Sequence, residues 1–260
     1  MWRIVAGHSL REKAPLTVVH SDMQSQSQRQ TSTRSYGRIS SIYERMNQVF
    51  TGGQNLAVRL SQLEEMQAGQ RVLYVGSGPS EDALEAARKG VRVTCLDLSA
   101  SMINKARQRF EKADLSGEFV CADIMEHDPG QPYDIVVANF FLNIFSRPVM
   151  EQVLARLVSL VRPGGRFLVA DFAAARGNIL LRARHRLFYA FVIVPHWLMG
   201  LAALHPIYVY SDYYPKLGLK LQGTRHFRLN ILGPGPWIFQ STTAVKDDGT
   251  SDTTHAVRNS

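Results

Sequence analysis

A chain of 260 residues with 45% apolar content is long enough to bury a full core, and its length suits one α/β domain. Two cysteines argue against a disulfide framework, and eight histidines without His-Glu-x-x-His or Cys-x-x-Cys spacing argue against a metal-dependent mechanism. Lysine and arginine total 30 against 22 acids, a formal charge of +8 that suits an anionic surface; without an interleaved basic and aromatic stripe, no nucleic-acid partner is expected.

Residues 1–35 are rich in Gln, Ser and Thr, lack apolar periodicity and are expected to be a disordered tail. Their basic residues (Arg3, Arg11, Lys13, Arg29 and Arg34) outnumber Glu12 and Asp22, as in a mitochondrial transit sequence; a start at Met23 is the plainer reading. The domain is expected over 36–245, with a second polar tail at 246–260.

Arg71–Val75 is an apolar strand that runs into Gly76-Ser77-Gly78 and then into a helix over Glu81–Lys89, which stops at Gly90. Gly76 permits a sharp turn, Gly78 has no side chain to keep a ligand from the backbone, and Ser80 is placed to cap the helix. The strand Val91–Leu96 ends at Asp97, 19 residues after Gly78, where a carboxylate can accept both hydroxyls of a ribose. The strand Glu118–Ala122 ends at Asp123, able to accept from an adenine amine while Ile124 covers the ring. A dinucleotide-binding loop needs a third glycine where Ser80 stands, so a phosphate-free adenosine cofactor, S-adenosylmethionine, fits better than NAD. Cys95 and Cys121 fall in these strands and are expected as buried, reduced thiols.

Tyr133–Asn139 reads as a fourth buried strand whose end, with Phe140 and Phe141, lies beside the reactive methyl group. A helix over Pro148–Val161 runs into the turn Arg162-Pro163-Gly164-Gly165, which launches the strand Arg166–Asp171. No ligand role is evident for Asp171. Two last strands, Leu219–Phe227 and Trp237–Ala244, flank a Gly233-Pro234-Gly235-Pro236 loop near the pocket mouth.

This order resembles the class I S-adenosylmethionine-dependent methyltransferases, and among them the ubiquinone and menaquinone biosynthesis C-methyltransferases. Their aromatic entrance helix, with its YD-x-MN core, has a counterpart in Ser41-Ile42-Tyr43-Glu44-Arg45-Met46-Asn47 followed by Gly52-Gly53. The resemblance implies a Rossmann-like, doubly wound α/β sheet of seven strands with a helical lid. It also implies a cofactor site of Val75, Gly76, Ser77, Gly78, Pro79, Asp97, Leu98, Met102, Asp123, Ile124 and Asn139. Two departures matter: Tyr74 stands where the family has an acid for the cofactor's amino group, and Leu142-Asn143 replaces an Arg-Asn pair. Asn143 carries over as an acceptor contact, and Tyr43 and His196, with Tyr208 and Tyr213 behind them, are candidates to help ionise the acceptor.

Residues Leu187–Leu204 contain no charged side chain and follow Arg176, Arg182, Arg184, His185 and Arg186. That length touches the lower edge of a membrane span, about 17 residues, but Pro195, His196 and Gly200 interrupt it. The expected form is a helix pair broken at Pro195, forming a lid over about 176–210; residues 182–204 can rest on a bilayer, arginines on headgroups and Phe188, Phe191 and Trp197 in the interface. YVYSDYY, Tyr208–Tyr214, reads as a strand-like aromatic rim. The leading function is methyl transfer to a small lipophilic acceptor such as a quinone precursor or lipid, in the cytoplasm and peripheral to the inner membrane. Other chemistry on the same cofactor, a soluble acceptor and a non-enzymatic membrane adaptor are the alternatives; a dehydrogenase comes last.

Overall fold

The computed structural model describes residues 54–198, 206–228 and 237–248. Tyr43 and its entrance helix, the tail over 1–35, residues 199–205, the Gly233–Pro236 loop and the side chains of Pro195, His196 and Trp197 lie outside the described residues.

Seven strands form one sheet in the order β3-β2-β1-β4-β5-β7-β6. They are β1 (Arg71–Val75), β2 (Arg92–Asp97), β3 (Glu118–Cys121), β4 (Tyr133–Val137), β5 (Val161–Phe172), β6 (Leu219–Arg228) and β7 (Trp237–Lys246). The first five run parallel; β7 lies antiparallel between β5 and β6. The central strands are apolar throughout because both faces are covered. Val72, Tyr74, Val93, Cys95, Ile135, Val137 and Leu168 face α2 (Glu81–Arg88) and α3 (Ala100–Lys112). Leu73, Val75, Leu96, Val136, Phe167 and Val169 face α4 (Arg147–Ser159) and the segment over 208–219. A short helix, α1 (Gln54–Leu60), sets Val58 against Ala170, Ile238 and Phe239. Chain direction across the sheet reverses between β1 and β4, so the crevice at their carboxyl ends is where such a sheet takes a ligand.

Several elements differ from expectation. The Arg162–Gly165 turn bulges within β5: Tyr133 pairs with Val161 and Ile135 with Arg166, while Arg162 Nε donates to Asp134 Oδ1 at 2.7 Å. Cys121 is exposed, because β3 is an edge strand; Cys95 is buried, which pushes its thiol up to about 12. β7 continues to Lys246, one residue into the expected tail, where its ammonium donates to the carbonyls of Val158 and Val161. The tyrosine segment is no strand rim. It folds as two 3-10 turns, Tyr210–Asp212 and Pro215–Leu217, and Tyr208, Tyr210 and Tyr214 are buried in the main core.

Over its described part, the segment expected as a lid has one helix, α5 (Ile179–Leu198), which runs through Pro195 instead of breaking there. A proline removes its own N–H bond and bends a helix, but packing along the rest of the helix can carry it through. His185 does not join the basic surface: it is turned inward against the Ala173 backbone, and burial holds it below the usual histidine range. Phe188 also packs inward, against the Ala170–Ile238–Phe239 cluster. The outer face carries Ile179, Leu180, Leu187 and Phe191, exposed by 86, 67, 74 and 57%, among exposed Arg182, Arg184 and Arg186. Among the described residues, no helix is long and apolar enough to cross a membrane.

Candidate active site

The loop after β1 takes three left-handed residues, Gly76 (φ 59°), Gly78 (φ 50°) and Ser80 (φ 56°). The Ser80 hydroxyl donates back to the carbonyls of Ser77 and Gly78, at 3.4 and 3.3 Å, and makes no side-chain cap. The expected capping role is therefore corrected: a left-handed residue aims its side chain away from the first-turn N–H groups, which instead have Glu81 and Asp82 in their turn.

Asp97 ties this loop to the tip of β2. Its Oδ2 accepts from Gly78 N at 3.0 Å and its Oδ1 from Ser99 N at 2.9 Å. Burial raises the carboxyl above its ordinary range, and the two N–H donors oppose that rise. Each oxygen retains a second lone pair for a hydroxyl. Leu98 is 43% exposed beside it, and Met102 is half-buried in the first turn of α3. Asp123 is half-buried, with Oδ1 accepting from Met125 N at 2.9 Å, while the Ile124 side chain packs into the main core. Val75 is buried beneath the loop, and Ser77 N donates to Leu96 O at 3.2 Å. Pro79 stays half-buried on the loop.

Asn139 is spoken for by the protein. Its Nδ2 donates to Gln62 Oε1 and Asp82 Oδ2, and its Oδ1 accepts from Gln62 Nε2 and Ala170 N. Arg59 completes the network with an ion pair to Asp82 at 3.0 Å and one to Glu81 at 3.3 Å, so α1 is locked against α2 beneath the loop. Gln62, Asp82 and Arg59 were not legible as a unit, because they meet only through tertiary packing. Tyr74 faces this layer too: its hydroxyl donates to Met66 Sδ, and burial raises it well above the usual phenol range.

After β4 the chain kinks at Phe140, a left-handed residue (φ 50°) whose ring packs edge-on against Phe172 and Phe239. Phe141 goes the other way. Its ring lies so close over Gly76 that a Cβ there would come within 2.3 Å of Phe141 Cδ2. Asn143 follows in a 3-10 turn and donates from Nδ2 to Asp171 Oδ1 at 2.6 Å. Asp171 also accepts from the Tyr210 hydroxyl at 2.6 Å and from Phe172 N at 2.7 Å. Asp171 lies one residue before the end of β5, a place similar to that of Asp97 on β2, and the sequence alone gives it no evident ligand role. Tyr208 donates to Phe145 O at 3.1 Å, its phenol pushed up to about 12 by burial; Tyr213 is half-buried nearby.

The loop, the two acid-tipped strands and the sheet order define a class of protein. A family model described as a methyltransferase domain matches residues 72–165. Residues 72–165 thus carry a methyltransferase domain, and the seven-stranded fold around them is similar to that of solved methyltransferases. Among its relatives, the 27-O-demethylrifamycin SV methyltransferase of Amycolatopsis mediterranei is 32% identical over 121 residues, 45% of this chain and 44% of that protein. The ubiquinone/menaquinone biosynthesis C-methyltransferase of Roseobacter denitrificans is 24% identical over 182 residues, 67% of this chain and 71% of that one. The match thus spans under half of the first relative's length. In fold, the chain is similar to the 1,6-didemethyltoxoflavin-N1-methyltransferase of Burkholderia thailandensis, solved with S-adenosylhomocysteine: TM-score 0.61, 17% identity, 91% of this chain and 93% of that one.

Proposed function

We propose that this protein transfers the methyl group of S-adenosylmethionine to a small, lipophilic, hydroxylated ring, of the quinone-precursor or lipid-like kind, taken from a membrane surface on the cytoplasmic side. The observation that carries the acceptor class is α5. Its Tyr189 packs on Phe172 at the end of β5, while its outer face mixes exposed Leu187 and Phe191 with Arg182, Arg184 and Arg186. Such a face suits an anionic bilayer, with apolar side chains at the acyl boundary and guanidinium groups among headgroups.

The residues of the crevice fit the cofactor. Gly78 leaves open space, with nothing within 4 Å of where a Cβ would stand, and the Asp97 carboxylate beside it suits a ribose. When bound, S-adenosylmethionine supplies an electrophilic methyl group on a sulfonium. The protein's task is then to align the acceptor and exclude water. Phe141 and Phe145, edge to face at 5.3 Å, make an apolar wall next to the loop.

The test has two arms. S-adenosylhomocysteine is titrated calorimetrically into the protein, and flotation is measured with phosphatidylglycerol vesicles against phosphatidylcholine vesicles. Binding of the nucleoside with flotation on anionic vesicles only, reduced at least fivefold in Leu187→Glu/Phe191→Glu, supports the reading. Nucleoside binding without flotation favours a soluble acceptor, and no nucleoside binding removes the methyltransferase activity altogether.

A further inference from the structure

Asp171 is 2% exposed, yet among the described residues no ion pair reaches it. Its three hydrogen bonds come from neutral donors: Asn143 Nδ2, the Tyr210 hydroxyl and Phe172 N. Among the described residues, the titratable groups that face it are Tyr210 and, from α5, Tyr189; β7 sets uncharged Gln240 opposite it in the ladder. A dry carboxylate without a cation is a costly way to hold three neutral groups together.

Its position gives that cost a use. From the glycine loop outward, the Phe141 ring covers Gly76, Asn143 follows two residues later, Asn143 binds Asp171, and Asp171 binds Tyr210. The cluster therefore lies at the carboxyl ends of β4 and β5, beside the loop and next to the Tyr189 ring of α5, with Tyr210 itself 2% exposed. Burial pushes the Asp171 carboxyl up to about 6, so near neutral pH it can both take and release a proton.

We propose that Tyr210 is a catalytic residue and Asp171 its positioning partner and proton store, together removing the hydroxyl proton of a phenolic acceptor, with Asn143 holding the carboxylate in line. This rests on the methyltransferase reading and deepens it. The acceptor's O–H bond breaks and its proton passes to the Tyr210 oxygen as the Tyr210 proton passes to Asp171. The electron pair left on the phenolate bonds to the transferred methyl carbon, and that carbon's bond to sulfur breaks with its pair staying on sulfur. Asp171 then loses the proton to solvent. Tyr189 is the spectator of the cluster, with its ring on Phe172 and its phenol pushed up by burial.

The experiment uses the full chain with 2-naphthol as the acceptor probe and compares wild type, Asp171→Asn and Tyr210→Phe. Methylated product is followed by mass spectrometry from pH 5 to 8, S-adenosylhomocysteine affinity by calorimetry, and folding by thermal melting. Carboxyl carbons of aspartate are followed by NMR. The proposal expects a wild-type kcat that rises through about pH 6, together with a carboxyl resonance titrating there that is missing in Asp171→Asn. It expects a loss of at least about 100-fold in kcat in both variants, with the nucleoside Kd within threefold. If Asp171→Asn does not fold, Tyr210→Phe decides. Unchanged kcat in a folded variant, a pH limb that survives Asp171→Asn, or no methylation of 2-naphthol by a wild type that binds the nucleoside overturns the proposal alone. A wild type that fails to bind the nucleoside overturns the methyltransferase reading beneath it.

Discussion

Gly76→Ala tests whether the Phe141 ring really rests on the loop. The new methyl group meets two costs. A left-handed backbone, φ 59° here, costs an L-residue about 1–2 kcal/mol. The Cβ would also stand 2.3 Å from Phe141 Cδ2 and 3.0 Å from Cγ, so the ring must move although Phe145 braces it; overpacking of this kind costs about 1–3 kcal/mol. Together they amount to roughly 2–5 kcal/mol, which for a domain of this size lowers Tm by about 5–15 °C. Gly78→Ala is the control: its φ is 50° but nothing lies within 4 Å, so only the backbone cost applies and the drop is about 3–6 °C. Gly78→Ala should nonetheless weaken S-adenosylhomocysteine at least tenfold if the loop holds the cofactor as proposed, because its methyl group fills the open space beside Asp97. Differential scanning calorimetry and titration read both effects, and a Gly76→Ala/Phe141→Ala cycle isolates the contact as a coupling of about 1–3 kcal/mol. Equal melting shifts for the two glycines, with no coupling to Phe141, would refute the argument.

Asp97→Ala removes the acceptor for Gly78 N and Ser99 N, and with it the two charge-assisted bonds that the proposed ribose role requires; nucleoside affinity should fall about 100-fold or more by calorimetry, and a change under threefold would exclude that role. Arg59→Ala strands the buried carboxylate of Asp82, 3% exposed, and should cost about 3 kcal/mol in urea unfolding, largely restored in Arg59→Met/Asp82→Asn; equal costs for the single and double variants would show that the ion pair is idle. Asp171 makes stability fall with pH: its folded carboxyl holds a proton up to about 6 while the unfolded one ionises near 3.8, so the folded state binds more protons between those values. The urea midpoint of the wild type should therefore drop relative to Asp171→Asn between pH 4 and 6, by an amount on the order of 2 kcal/mol, and run parallel above it. Parallel curves throughout would contradict this.

Local pattern was enough for the parallel half of the sheet, the glycine loop and the acids at the tips of β2 and β3. A buried parallel strand is a continuous apolar run, and the next residue at its carboxyl end has to face the crevice. For Asp171 the same rule marks a strand-end acid but no role, because nothing near it in sequence supplies its partners: Asn143 lies 28 residues before it and Tyr210 39 residues after. The sequence likewise marks 187–204 as apolar, but whether Pro195 breaks the lid depends on what packs along α5, and which aromatic rings enter the core depends on helical phase against the sheet. Ser80 looked like a cap by composition; only the left-handed backbone after two glycines turned its hydroxyl away. Patterns of period and spacing act between neighbours in the chain, so they name the strands and their tips. Saturation of a buried polar atom is settled between distant segments, so Asn139, Asp82 and Asp171 acquired their partners, and their chemistry, only in the folded molecule.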